Sequence, residues 1–182
     1  MSVTGHPNSP PTKVGTSLGD VNAAVHAAFA IMAALWHRER TGEGQFVDVS
    51  MQETMVSILE GAIVRWTIGG ELLTPIGSHN PHDAPMAAFQ CKDGYIIIAT
   101  VGDEHWRRFC KAIGKPEWVE NPEYRTKRQR WEKKYVLAEE IEKFTTKQPV
   151  KEMGAMMDRE RVANSPILNV AEVVEDPHLN AR

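Results

Sequence analysis

Two periodicities organise the first third of the chain. Val21, Ala24, Val25, Ala28, Phe29, Met32, Leu35 and Trp36 recur at three- and four-residue spacing, the pattern of a helix with one apolar stripe. This predicts a helix that starts at Asp20 and buries the stripe. Arg38 and Arg40 suit its negative end and Gly42 its C-terminal cap. At 45–50 the period drops to two, with Val47 and Val49 opposed to Phe46 and Asp48, which predicts a strand. Helical spacing returns with Met51, Met55, Ile58, Leu59, Ala62, Ile63 and Trp66, predicting a second helix over 51–68 that Gly69-Gly70 ends. Its apolar face reads as core. Helix, strand and helix with short joins describe part of a layered α/β structure.

Residues 71–85 carry Pro and Gly and little periodicity, so they form a loop and the boundary between two domains, 1–75 and 76–182. Beyond it, the apolar runs 87–91 and 95–101 flank Lys92-Asp93-Gly94, a hairpin signal. Asp103 then caps a short helix through Ile113. A longer charged helix covers 123–144, another covers 150–158, an extended piece follows at 165–170, and 171–175 makes a last helical turn before Asp176-Pro177. The fold class is therefore α/β to α+β, a helix-strand-helix part followed by a small α+β domain with a β-hairpin.

Composition narrows the picture by exclusion. A net charge of −3 over 182 residues gives no electrostatic case for nucleic acid or an anionic membrane. Cys91 and Cys110 are the only cysteines; this usage suits a reducing cytoplasm and argues against a disulfide framework. The apolar run containing His26 leads straight into His37-Arg38-Glu39-Arg40, so it reads as a soluble helix and not as a membrane span or a signal peptide. The stretch 125–134 holds six basic residues around Trp131. Glu132, Glu139, Glu140 and Glu142 dilute it, and it reads as a solvated helix face.

Candidate chemistry centres on Asp20. It follows Gly19 at a loop-to-helix junction, where an aspartate serves as an N-cap with no further role. A helix N-terminus also holds a carboxylate as the anion and hence as an available nucleophile, and Gly19 removes side-chain bulk where a substrate would approach. The loop from Gly77 to Asp83 gathers His79, His82 and Asp83, which serve as turn residues or as polar groups of a binding loop. As metal ligands they lack a third partner at a known spacing, and no metal is expected. Neither a G-x-G-x-x-G fingerprint nor a Walker A sequence occurs.

Longer strings add what spacing alone does not. Ser2-Val3-Thr4-Gly5, Pro10-Pro11-Thr12-Lys13-Val14-Gly15, Gly19-Asp20 and Arg40-Thr41-Gly42-Glu43-Gly44-Gln45-Phe46-Val47-Asp48-Val49-Ser50-Met51 resemble the class III CoA-transferases, the CaiB/BaiF or formyl-CoA transferase-like family. The likeness continues through 77–81, Asp93-Gly94-Tyr95-Ile96, 106–114 and 171–178. The resemblance implies that the chain is a central-to-C-terminal fragment of that fold, part of a large domain with the catalytic Asp plus a small domain. It implies an acyl-CoA:carboxylate CoA-transferase in which Asp20 attacks the thioester and passes through an anhydride and an aspartyl-CoA thioester. Met51 corresponds to a residue near bound CoA, while Gly19 and His79 are candidate substrate contacts.

CoA and acyl-CoA would be substrates, with no permanently bound cofactor. An interlocked homodimer, a cytoplasmic location and no nucleic-acid or membrane partner are expected. The fragment alone is expected to be inactive. The racemase branch of the superfamily, or a non-catalytic dimerisation or folding role, are the alternatives. Gly69-Gly70 departs from the family's glycine-rich substrate loop, and residues 162–169 keep Pro166 and Asn169 but no glycine.

Overall fold

The computed structural model describes residues 2–59 and 61–182. By contacts the chain divides into two compact units, Met1–Gly77 and Ser78–Arg182.

The first unit is helical. Helix α1 runs Leu18–Thr41 and ends on Gly42 in the left-handed region, whose N–H reaches Arg38 O; the missing Cβ makes that conformation cheap. Helices α2 (Met51–Ser57) and α3 (Gly61–Gly69) follow. Gly70, also at positive φ, closes α3 by donating to Trp66 O, and Glu71 N–H reaches back to Arg65 O.

Three sequence expectations change here. The helix expected over 51–68 is two helices parted at 58–60, and Glu60 lies outside the described residues. The segment 45–50 has no regular secondary structure and forms no ladder with any described strand; a strand exists only where a neighbour takes its N–H and C=O groups, and the alternation of valines cannot supply one. The third change concerns burial. No residue of α1 is buried: Phe29 is 79 % exposed and Met32 65 %. The expected core stripe therefore faces outward, as do Met51, Ile63 and Trp66. By length and composition α1 is long and apolar enough to cross a membrane, with a mean hydropathy of 1.5 over its most apolar window.

The second unit has a true interior. Strands β1 (Met86–Gln90), β2 (Tyr95–Ala99) and β3 (Ala163–Pro166) form an antiparallel sheet in the order β1-β2-β3. Register runs from Met86↔Ala99 to Gln90↔Tyr95. Alternation follows the pleat: Ala87, Phe89, Ile96 and Ile98 are buried, while Tyr95 and Ile97 face solvent. Helices α4 (Gly102–Ala112), α5 (Lys127–Glu132), α6 (Lys134–Thr145) and α7 (Val150–Arg159) accompany the sheet, followed by α8 (Val170–Glu175) and α9 (Pro177–Asn180). Trp106, Phe109, Leu137, Ile141, Met153 and Met157 meet the buried sheet face in one cluster. Each such side chain, fully buried, contributes roughly 1.5–3 kcal/mol. Trp106 stacks on Phe109 and on Trp118, whose ring centroid is 6.3 Å away at an interplanar angle of 18°, with Tyr124 edge-on to it.

The outer edge of β1 is closed by side chains. Ser78 Oγ accepts from Ala88 N–H and donates to Ala88 O. Thr145 Oγ1 donates to Gln90 O, and Glu142 accepts from Gln90 N–H. At the hairpin, Cys91 N–H bonds Gly94 O, and Asp93 Oδ1 accepts from the first amide of α7 at 2.7 Å.

Boundaries shift where capping decides them. Asp103 sits inside the first turn of α4, whose N-cap is Val101, so it is not the cap. The helix expected at 123–144 is two, α5 and α6, joined at Lys133. It starts later because Asn121 Oδ1 holds Glu123 N–H in a turn and Thr126 with Gln129 makes a capping box. Pro177 stops α8 and opens α9, as a proline at the first helical position does.

Candidate functional site

Helix α1 begins two residues before Asp20, with Ser17 as an N-cap that makes no side-chain bond. Asp20 is therefore not the cap. It is the third residue of the first turn, exposed, and no side chain pairs with it among the described residues. The first intrahelical bond is Val21 N–H to Ser17 O at 3.1 Å, so the amides of 18–20 point out of the helix end without an intrahelical acceptor. A carboxylate in this turn is favoured as the anion by the helix dipole. The same amides are donors for negative charge developing on a reacting carbonyl oxygen.

A second helix fixes this turn. Asn22, two residues beyond Asp20, donates from Nδ2 to Thr54 O in α2 at 2.6 Å. Thr54 is the buried residue there, and its own hydroxyl donates to Met51 O at 3.0 Å. Ser50 caps α2 by accepting from Glu53 N–H. Met51 is the first residue of α2 and is exposed. A Cβ at Gly19 would stand 3.8 Å from Cγ and 3.9 Å from Sδ of Met55, ordinary contact. The glycine thus faces α2, and steric clearance alone does not demand it. Gly19, Asp20 and Met51 consequently belong to one helix pair of the first unit.

His79 lies in the second unit. Its neighbours form a tight turn: Asn80 N–H bonds Met86 O, and Asn80 Oδ1 accepts from His82 N–H and Asp83 N–H. Asp83 pairs with Lys127 at 2.9 Å. The His79 ring meets Tyr135 edge-on at 4.9 Å. Burial, and then the nearby Lys134 ammonium, push its pKa below the ordinary value, so the ring is neutral at neutral pH. No group of three or more His, Cys, Asp or Glu side chains is placed to hold a metal among the described residues.

The basic stretch 125–134 is solvated as expected at Arg125, Lys127 and Arg128, but not at Arg130 and Lys134. Arg130 is buried, with Nη2 2.7 Å from Asp103 Oδ1, Nη1 donating to Tyr124 O and Nε donating to Ala84 O. Its guanidinium stands 5.2 Å from the Trp106 ring. Lys134 is also buried, its ammonium over the rings of Trp131 and Tyr135, and desolvation lowers its pKa. Two of the six cations thus face inward. No sequence signal finds Arg130, because its partners come from 84, 103 and 124, outside any helical repeat; Lys134 is covered by its own neighbours Trp131 and Tyr135.

The chain matches the family described as CoA-transferase family III over residues 1–182. It is 37% identical over 182 residues to a succinyl-CoA:mesaconate CoA-transferase of Haloarcula marismortui, covering all of this chain and 45% of that protein. An acetyl-CoA:oxalate CoA-transferase of Acetobacter aceti is 34% identical, with 100% and 47% covered. Among solved structures, a CaiB/BaiF family protein from Brucella suis superposes with a TM-score of 0.85 at 28% identity, covering 100% of this chain and 48% of that one. The chain spans about half the length of the curated relatives it matches. It belongs to the CoA-transferase family III.

Proposed function

We propose that the protein to which these 182 residues belong is an acyl-CoA:carboxylate CoA-transferase, with Asp20 as the acyl-accepting carboxylate. The observation that carries this is the setting of Asp20: an exposed carboxylate in the first turn of a 24-residue helix, beside amides free to donate. The carboxylate oxygen adds to the thioester carbonyl, the C–S bond breaks, and CoA leaves as thiolate with an aspartyl anhydride formed. The thiolate attacks the aspartyl carbonyl, releasing the donor acid and leaving an aspartyl-CoA thioester. The acceptor carboxylate repeats the exchange in reverse. Each tetrahedral oxyanion needs donors that are already in place, the office of the α1 amides.

CoA and acyl-CoA are substrates in this reading, and no permanent cofactor is needed. Met51, at the start of the adjoining helix, is a candidate CoA contact; Gly19 and His79 are candidate substrate contacts. Relatives named as CoA-transferases for mesaconate and oxalate support the substrate class, a small carboxylic acid. The outward-facing stripe of α1 supports a further part of the reading. We assign its cover to protein, either the part of the polypeptide that relatives have beyond these residues or a second subunit of a homodimer, in a cytoplasmic enzyme without a membrane partner.

The test is covalent trapping. The intact protein is incubated with succinyl-CoA and quenched with hydroxylamine, and peptides are mapped by mass spectrometry. A hydroxamate at Asp20, absent from Asp20→Ala, is the expected result. Exchange of the α-proton of a 2-methylacyl-CoA with deuterated water and no adduct would select the racemase branch instead. The 182-residue chain alone is expected to show no turnover.

A further inference from the structure

Asn22 is out of character in its helix. Asparagine forms helices poorly because its side chain competes for nearby backbone groups, yet it stands in the second turn of α1, before Ala23-Ala24 and further alanines. Its amide does not compete locally. Nδ2 donates to Thr54 O, 32 residues away, at 2.6 Å.

The acceptor is open to a donor from outside. Thr54 O lies in the last turn of α2, where carbonyls lack intrahelical donors, and Ile58 N–H reaches Val56 O instead. Ser57 Oγ also donates to Thr54 O, at 2.7 Å. This buried carbonyl therefore keeps a partner without Asn22, so satisfying it is not the main effect of the amide. What the amide adds is a directional link between α1 and α2. Packing supplies little of that direction, since no residue of α1 is buried.

The link bears on Asp20 through helix geometry. At about 100° per residue, Gly19 and Asn22 lie about 60° apart, and Asp20 is turned about 100° from the first and about 160° from the second. Gly19 looks onto Met55 and Asn22 onto Thr54, so the side facing α2 is fixed and Asp20 is turned away from it. A rotation of about 10° carries a carboxylate lying about 6 Å off the axis through about 1 Å. A 1 Å misplacement of a reacting group costs up to about a hundredfold in rate.

We propose that Asn22 is a positioning residue for the acyl transfer: bonded to Thr54 O, its amide sets the rotation of α1 about its own axis and so aims the Asp20 carboxylate at the thioester. This role presupposes that Asp20 is the nucleophile. Without the bond the carboxylate is chemically unchanged but spread over orientations. The slowed step is its addition to the thioester carbonyl, and the binding of acyl-CoA is left as it was.

The intact protein is mixed with succinyl-CoA over a range of concentrations and quenched with hydroxylamine at timed intervals, and the Asp20 hydroxamate is counted by mass spectrometry. In Asn22→Ala the rate at saturating succinyl-CoA should fall about tenfold to a hundredfold, with the half-saturating concentration unchanged. Asn22→Asp, of the same shape but unable to donate when ionised, should lose as much. Ser57→Ala, which removes the other donor to Thr54 O, should keep the wild-type rate, and circular dichroism at the assay temperature should show all three variants folded. A wild-type rate in Asn22→Ala, its melting at the assay temperature, a loss confined to half-saturation, or an equal loss in Ser57→Ala would overturn the positioning role while the wild-type hydroxamate at Asp20 still stands. Absence of that hydroxamate from the wild type would instead overturn the reading of Asp20, and this role with it.

Discussion

The two units solve the burial problem differently. In the second, a three-stranded sheet and its helices enclose a continuous cluster from Ala87 to Val162. In the first, Thr54 is the one buried residue among those described, and α1 shows solvent an apolar stripe from Val21 to Trp36. Both sequences have well-formed periodicity, so periodicity reports which face is apolar and says nothing of what covers it. The second unit carries its own cover; the first holds the candidate nucleophile on a surface that waits for one.

The sharpest test compares one residue type in both settings. Phe89→Ala in β1 empties a fully enclosed position and should lower the stability of the second unit by about 3–5 kcal/mol. Phe29→Ala in α1 should change stability by no more than about 0.5 kcal/mol in the 182-residue chain. Urea unfolding followed by circular dichroism measures both; equal losses would mean that α1 is packed against something in solution.

Next in size is Arg130. Arg130→Leu keeps volume but strips the donors from Ala84 O, Tyr124 O and Asp103, and should cost about 3 kcal/mol because buried acceptors are orphaned. Hydrogen exchange across α4 and α5 would show whether the loss is confined to the second unit. In the first unit the corresponding tie is the bond from Asn22 to Thr54 O. Asn22→Ala should cost about 1 kcal/mol and speed amide exchange at the start of α2, with little effect on the second unit.

The smallest effect is a pH dependence. Burial and Lys134 hold His79 below its ordinary value of about 6.5. The unfolded chain therefore takes up the proton first as pH falls. The contribution to stability is complete above about pH 6.5 and is lost progressively below it, toward the lowered folded value. His79→Gln should flatten that part of the unfolding profile; an unchanged slope would assign the dependence to other groups.

Much of the second unit was legible because its elements are local. Lys92-Asp93-Gly94 fixes the hairpin, the pleat decides which of Ile96, Ile97 and Ile98 is inside, and Gly42 ends α1 as read. What escaped depends on partners distant in the chain. The strand expected at 45–50 lacks a neighbour to pair with, and Arg130 reads as a surface cation until Asp103 is beside it. At the candidate site, residue identity was readable from family-like strings around Gly19-Asp20. Its placement was open because two favoured caps compete there: Asp20 is one and Ser17 the other, and α1 starts at Leu18 with Ser17 as the cap, which moves Asp20 into the first turn.

The near-parallel indoles of Trp106 and Trp118 make the second unit optically distinct. Two chromophores held this close and this nearly coplanar couple their excited states, so the folded unit carries a near-ultraviolet dichroic band of its own. Trp36, with the Arg40 guanidinium over its ring, and Trp66 lie on exposed helix faces without an aromatic neighbour, so they contribute little ellipticity but emit in a wet environment. A single sample thus reports two processes in two spectral channels: loss of the dichroic band marks melting of the aromatic stack, and a blue shift of the emission marks the arrival of whatever comes to rest on α1 and α3.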